Sequence, residues 1–363
     1  MAELTKEQIE AALAGYVEPH LQRDLVKAKA VKNIAIDGDK VKIDIEVGFP
    51  CDGVKEAMSN AVAAMVSKVP GVGSVEVKVE WKIAAHSVQK ALKPIDNVKN
   101  IIAVASGKGG VGKSTTAINL ALALAAEGAK VGLLDADIYG PSQPRMLGVS
   151  GQPESKDGKT LEPMKNYGLQ AMSIGFLIDE ETPMIWRGPM VTQALEQLLN
   201  DTNWDKLDYL VIDLPPGTGD TQLTLAQKVP VSGAIIVTTP QDIALLDARK
   251  GFKMFEKVEV PVLGIVENMS IHICSKCGHE EHIFGEGGGS RMASQYNVDF
   301  LGALPLDIRI REETDSGKPT VVAEPDSRIS QIYREIARKA AAKLSLQAKS
   351  YASKFPSIVI QNN

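Results

Sequence analysis

The sequence predicts an α/β chain: a mostly parallel sheet covered by helices on both faces, preceded by a smaller α/β unit. Three observations carry that expectation. From Ile101 onward, short Val/Ile-rich runs ("NIIAVAS", "KVGLLDAD", "DYLVIDLPP", "GAIIVTTP", "VPVLGIVENM") alternate with stretches of helical period. These runs are apolar at consecutive positions, as in strands buried on both faces. A glycine-rich loop, "GKGGVGKST", stands between the first run and a helical stretch. The text before residue 86 has its own hairpin and helix signals, and polar "HSVQKALKPIDNVKN" separates it from the rest.

At 363 residues the chain is long enough for two domains, and its hydrophobic fraction of 44% is ordinary for a globular protein. A net charge of -5 argues against a nucleic-acid or anionic-membrane binder, which needs a basic face. No apolar run approaches the roughly 18 residues of a membrane span, and "MAELTKEQIE" is no signal peptide. Three cysteines in so long a chain make no disulfide framework. A cytoplasmic protein with neither nucleic-acid nor membrane partners is expected.

Residues 1–85 read as the small unit, in the order ααββαβ. "LTKEQIEAALAG" and "HLQRDLVKA" are helical in period. "KNIAIDGDKVKIDIEV" is a hairpin turning at Asp37-Gly38-Asp39, with Val41, Ile43, Ile45 and Val47 on one face. The helix "GVKEAMSNAVAAMVSKV" follows, then a strand with Val75, Val77, Val79 and Trp81 on one side. Cys51, in "GFPCDG", reads either as a reactive thiol or as loop packing. Residues 86–97 form a linker, 98–345 the large domain, and 346–363 a tail.

"GKGGVGKST" fits G-x-x-x-x-G-K-[ST] at Gly107, Gly112, Lys113 and Ser114. Glycines let the backbone curl so that its N–H groups point inward, and the following helix adds its dipole. Gly107, Lys108, Gly109, Gly110, Val111, Gly112, Lys113, Ser114 and Thr115 are therefore expected to cradle a nucleoside triphosphate. Lys113 is expected at the β- and γ-phosphates, and Ser114 on Mg²⁺. The acidic residues Asp135, Asp137 and Asp213 end apolar runs, where ligands bind in open α/β sheets. Gly217 and Gly219 follow, able to approach a γ-phosphate by backbone N–H. One carboxylate is expected to hold the Mg²⁺ shell and another to orient or activate water; helix capping alone is the plainer account of any single one.

Inside the loop, Lys108 is a lysine that a generic phosphate loop does not need. "KGGVGKST" resembles the deviant phosphate loop of the MinD, ParA and nitrogenase iron-protein class. That resemblance implies a homodimer closed by ATP, with Lys108 reaching the partner's nucleotide, Asp213 holding the metal shell, Asp137 acting on the water and Asp135 nearby. Together with "DADIYGPS", "DLPPGTGD", "TTPQDIALLDARKG", "ENMS" and "CSKCGHEEHIFGEGGG", it looks like the Mrp/ApbC family of iron–sulfur cluster carrier ATPases over about residues 95–345. The amino-terminal part resembles the small domain of iron–sulfur assembly factors, with Glu18-Pro19 where that domain usually has Asp-Pro. The family implies ATP as the nucleotide, with Asn268 on the adenine and the segment from Leu304 to Asp307 lining the base pocket.

The C-x-x-C pair, Cys274 and Cys277, supplies half of a four-thiolate site. One completion is internal, with His279 and His282 as zinc ligands, though the spacing is far tighter than a finger's about 12 residues. The other is symmetry: two copies bring four thiolates together. The second gives a labile [4Fe–4S] cluster at a homodimer interface, carried by a slow ATPase between iron–sulfur donors and apo-acceptors. The amino-terminal unit is expected to dock one of them. The competing readings are a MinD- or ParA-like positioning switch and a zinc-stapled dimeric NTPase.

Overall fold

The computed structural model describes residues 4–86, 88–89, 92–178, 188–274 and 276–349. The predicted tail from residue 350 lies outside them, as do positions 87, 90 and 91 of the predicted linker.

The first helix, α1 (Lys6–Leu13), starts at a capping box. Thr5 accepts from the Gln8 N–H, the Gln8 side chain returns to Thr5, and Ile9 and Leu13 face inward. The helix predicted over "HLQRDLVKA" does not form. Its place is taken by turns and a short antiparallel pair, β1 (Val17–Glu18) and β2 (Arg23–Asp24). Side chains explain the difference: Glu18 accepts the Leu21 N–H at 2.5 Å and Asp24 the Lys27 N–H at 2.8 Å. Such local bonds offer the backbone an alternative to a helical ladder.

The predicted hairpin is β3 (Val31–Asp37) and β4 (Lys40–Val47), whose Val41, Ile43, Ile45 and Val47 are buried. After α2 (Lys55–Val66), β5 (Ser74–Trp81) joins parallel to β4 and completes a three-stranded sheet.

The large sheet is built from β6 (Val98–Ala105), β7 (Val131–Asp135), β8 (Met164–Asn166), β9 (Leu169–Ser173), β10 (Leu207–Asp213), β11 (Gly233–Thr238), β12 (Val262–Glu267) and β15 (Phe300–Ala303). Between β12 and β15 lies a small antiparallel hairpin, β13 (His272–Ile273) and β14 (Glu280–Glu281). The eight strands run in the order β15-β12-β11-β6-β10-β7-β9-β8, parallel except for β8 at the edge. Helices α3 (Lys113–Ala126), α4 (Gln143–Met146), α5 (Gly188–Asn200), α6 (Asp220–Lys228), α7 (Asp242–Lys257), α8 (Gly288–Tyr296), α9 (Ile308–Asp315), α10 (Thr320–Ala323) and α11 (Arg328–Ser345) connect them or cover the faces. Strands β7, β10 and β11 are buried at every position, as their continuous apolar runs predict.

Helix α11 packs its apolar side (Ile329, Tyr333, Ile336, Ala340, Leu344) on α3 and β15. That face is therefore spent within the fold. Among the described residues no helix is long and apolar enough to cross a membrane.

The small sheet unit sits on the far end of α3. Glu127, the residue that ends that helix, is fully buried and accepts from Arg334 and Arg338 of α11 and from the Gly53 N–H of the small unit. The start of the predicted linker is fixed as well: buried His86 gives its N–H to Asn100 Oδ1 at 3.1 Å.

Candidate functional site

Parallel strands all deliver their carboxyl ends to one edge, and the candidate residues collect there. β6 runs into the glycine-rich loop, and α3 begins at Lys113. Gly110 and Gly112 have φ of +79° and +80°, a left-handed backbone that glycine adopts without strain. A Cβ on Gly107 would lie 2.1 Å from the Asp247 carbonyl carbon, so the loop packs directly on the α7 backbone. Lys108 and Ser114 are half-buried, and Lys113 is buried. Ser106 Oγ donates to the Lys108 carbonyl at 2.8 Å, and the Gly217 N–H donates to the Ser106 carbonyl at 3.0 Å, joining the "DLPPGTGD" loop to the glycine loop.

Register pairs Asp213 with Asp135 across β10 and β7, so the two carboxylates end adjacent strands. Lys113 Nζ forms a buried ion pair with Asp213 Oδ1 and lies 3.1 Å from Ser114 Oγ. Asp135 faces into the loop that follows it: its oxygens accept from the N–H groups of Asp137, Ser142 and Gln143 and from Ser173 Oγ, all at 3.0–3.1 Å. Asp135 thus shapes the segment that carries Asp137. Burial, and then the Asp213 charge, lifts the Asp135 carboxyl above the usual range. Burial also raises Asp137, opposed by Lys113 and assisted by Asp213.

Sequence reasoning passed over Gln143. It is buried, and Nε2 donates to Asp213 Oδ2 at 2.9 Å and to the Ser114 carbonyl at 3.1 Å. The only signal was a polar residue before Pro144 at a helix start, too general to single out. Ser114 and Asp213 supply the hard oxygen donors that magnesium takes. Gln143, whose Nε2 binds both Asp213 and the Ser114 carbonyl, has a buried Oε1 with no hydrogen-bond partner, so the donor set fits that ion.

Asn268 follows β12, and its Nδ2 donates to the Val111 carbonyl of the glycine loop at 2.9 Å. The segment expected to line a base pocket runs beside it: Leu304 N–H reaches the Glu267 carbonyl at 2.8 Å, and Leu306 N–H that of Ile271 at 2.8 Å. From Asn268 the chain passes directly into the thiol hairpin. Cys274 is half-buried and Cys277 exposed; the N–H groups of Cys277 and Lys276 hold the Cys274 thiol below its ordinary value. His282 Nδ1 binds the Ser270 carbonyl at 2.8 Å. Among the described residues no three His, Cys, Asp or Glu side chains converge on one point, so the two cysteines stand as a pair. Cys51 is fully buried, and burial pushes its thiol up to about 12. It packs the small unit's core.

Comparison with known proteins shows the family. The family model described as NUBPL iron-transfer P-loop NTPase matches residues 97–341, and that described as iron-sulfur cluster assembly protein matches residues 6–79. The iron-sulfur cluster carrier protein of Haemophilus influenzae is 53% identical over 341 residues, 94% of this chain and 92% of that protein. The iron-sulfur cluster transfer protein NUBPL of Mus musculus is 54% identical over 254 residues, covering 69% of this chain and 80% of that one. Among solved structures, a nucleotide-binding protein of Archaeoglobus fulgidus in complex with ADP superposes with a TM-score of 0.56 at 40% identity, over 64% of this chain and 90% of that one. By residues and by fold, this chain belongs to the NUBPL iron-transfer P-loop NTPase family.

Proposed function

We propose that this protein is an ATP-driven carrier of iron–sulfur clusters, and that two copies hold a [4Fe–4S] cargo on Cys274 and Cys277 of each. The observation that carries this reading is the accessible cysteine pair on a short hairpin, with no third ligand beside it among the described residues. A two-fold axis completes four thiolates without any other group. A cluster held at such a surface is easier to hand on than one in a closed cage, which suits transfer from a donor to an apo-acceptor.

In this reading ATP lies along Gly107 to Thr115, with Asn268 at the base and Gly217 near the γ-phosphate. Magnesium, when bound by Ser114 and Asp213, neutralises phosphate charge. Lys113, which pairs with Asp213, turns to the phosphates, and Lys108 reaches the partner's nucleotide. Asp137, lifted by burial, is a better proton acceptor than a solvated aspartate and acts on the attacking water. Hydrolysis is slow because the site is complete only in the closed dimer, and it resets that dimer.

A short covalent path supports coupling between the two sites. Asn268 holds the glycine loop through Val111, and two residues on, Ser270 holds His282 of the thiol hairpin. A shift of the loop on nucleotide binding is thereby passed to the segment bearing Cys274. The small unit, docked on α3, is the surface offered to a donor or acceptor protein.

Anaerobic reconstitution with iron and sulfide tests the reading, with wild type and the Cys274→Ser/Cys277→Ser double variant side by side. About four irons and four sulfides per dimer, lost in the double variant, are expected. Stoichiometric zinc without sulfide, or a cluster indifferent to both substitutions, overturns it.

A further inference from the structure

Gln143 is the residue through which the nucleotide edge is tied together. It is 1% exposed. Both hydrogens of its amide are used, one on Asp213 Oδ2 and one on the Ser114 carbonyl, at 2.9 and 3.1 Å. Those partners are both acceptors, so the amide can only stand with nitrogen toward them; the flipped amide would set three oxygens against one another. Its Oε1 is consequently left on the other side, buried and without a partner. A buried amide oxygen in this condition is costly, and such exceptions call for a physical reason. Its backbone N–H meanwhile donates to Asp135 Oδ2 at 3.1 Å, at the start of the loop that carries Asp137.

We propose that Gln143 is a positioning residue for the metal and phosphate groups of ATP. Its amide nitrogen sets the Asp213 carboxylate against the first turn of α3, and its orphan oxygen accepts a hydrogen bond from a water of the magnesium shell. One residue then reports on both halves of the site: the side chain on the metal carboxylate and the phosphate-loop helix, the backbone on the Asp137 loop. A Lys113–Asp213 ion pair alone would leave Asp213 free to swing when Lys113 turns to phosphate. Gln143 keeps its second oxygen in place during that exchange.

This inference rests on the ATP reading, and the experiment separates the two. The affinity of a fluorescent ATP analogue is measured for the full chain with excess Mg²⁺ and with EDTA, and the ratio of the two values is the readout. Manganese binding by electron paramagnetic resonance in the presence of the analogue is a second. Wild type is expected to show a large ratio. Gln143→Met, of similar length but with no donor and only a weak thioether acceptor, is expected to lower it about tenfold and to weaken manganese retention equally. Gln143→Asn keeps an amide one methylene short of its partners, and covers the case in which Gln143→Met does not fold; the same selective loss is expected. A ratio equal to wild type in the folded variant overturns the role of Gln143, as does an equal loss of affinity with and without Mg²⁺, which is the mark of a scaffold residue. If wild type itself does not bind the analogue, the ATP reading fails, and this inference with it.

Discussion

Glu127 Oε1 and Arg338 Nη1 meet at 2.7 Å in the buried seam between the small unit and the large domain. Glu127 ends the same helix that begins at Lys113, so one rigid rod joins the phosphate loop to the docked unit. A carboxylate at a helix carboxyl end is opposed by the helix dipole, and here Arg334, Arg338 and the Gly53 N–H offset that cost. Glu127→Ala strands the Arg334 guanidinium and the Gly53 N–H, and leaves Arg338 with the Glu335 carboxylate alone, in a nearly dry seam. A loss of about 3–5 kcal/mol is expected, read as a lower midpoint in urea unfolding. A midpoint within error of wild type would show that the seam is solvated.

The neighbouring His20 makes the seam sensitive to pH. Burial lowers its affinity for a proton, but Glu18 Oε1 at 2.8 Å and Glu335 Oε2 at 2.9 Å outweigh burial and raise the ring from 6.5 to about 9. Arg338 Nε, 3.3 Å from the same ring, is the one cation facing it among these contacts. A raised folded value means that the contribution is fully present below about pH 6.5 and is lost as pH climbs through about 9. Glu335, held down to about 2 chiefly by His20, contributes above about 4.5 and loses its share as pH falls toward 2. Stability is expected to be flat between those limits and to fall from pH 6.5 to 9, with His20→Gln removing most of the alkaline slope. Unfolding midpoints across pH for the two proteins check this; parallel curves would exclude His20 as the cause.

How far the sequence shows all this depends on the reach of each interaction. Strands β6, β7, β10 and β11 are legible because burial on both faces leaves an apolar run that no other local structure explains. The glycine loop is legible because its shape demands residues without a Cβ at fixed spacing. The stretch "HLQRDLVKA" misleads, because its apolar period is helical while Glu18 and Asp24 divert the backbone by single hydrogen bonds. Glu127 gives no signal at all: its arginine partners lie 207 and 211 residues away in the chain. Gln143 is hidden for the same reason, since Asp213 is 70 residues distant.

The glycine loop yields a prediction at single-atom scale. A Cβ on Gly112, whose φ is +80°, would lie 2.1 Å from Asn268 Nδ2. Gly112→Ala must therefore expel Asn268 from the Val111 carbonyl as well as strain the backbone. Loss of nucleotide affinity of at least about tenfold is expected, with Gly107→Ala similar because its Cβ meets the α7 backbone. A Cβ on Gly109 would have no neighbour within 4 Å, and Gly109→Ala serves as the control for folding, within about 0.5 kcal/mol of wild type. Binding titrations and unfolding curves on the three variants separate strain from collision. Tight binding by Gly112→Ala would mean that Asn268 is not held against the Val111 carbonyl in solution.

Lys108 tests the dimer. Because it is half-buried in the loop and Lys113 already serves the phosphates in the proposed site, Lys108→Ala is expected to abolish dimer formation driven by a non-hydrolysable ATP analogue. Light scattering after size exclusion reads this directly. Dimers that persist, with an unchanged steady-state rate of hydrolysis, would remove Lys108 from the interface.

The three thiols differ enough to be told apart by alkylation. Cys274 is held low by the N–H groups of Cys277 and Lys276, so more of it is thiolate near neutral pH than of an ordinary cysteine. Cys51 is fully buried, and burial raises its thiol to about 12, so it offers almost no nucleophile until the fold opens. Iodoacetamide at pH 8, followed by peptide mass mapping, is expected to modify Cys274 within minutes and Cys51 only as the chain unfolds. A bound cluster should protect Cys274 and Cys277 and leave Cys51 as slow as before. If instead Cys51 reacts in the native protein as fast as Cys274, the small unit must open in solution. The thiol would then be available to a cluster in transit, and the seam around Glu127 would be a gate.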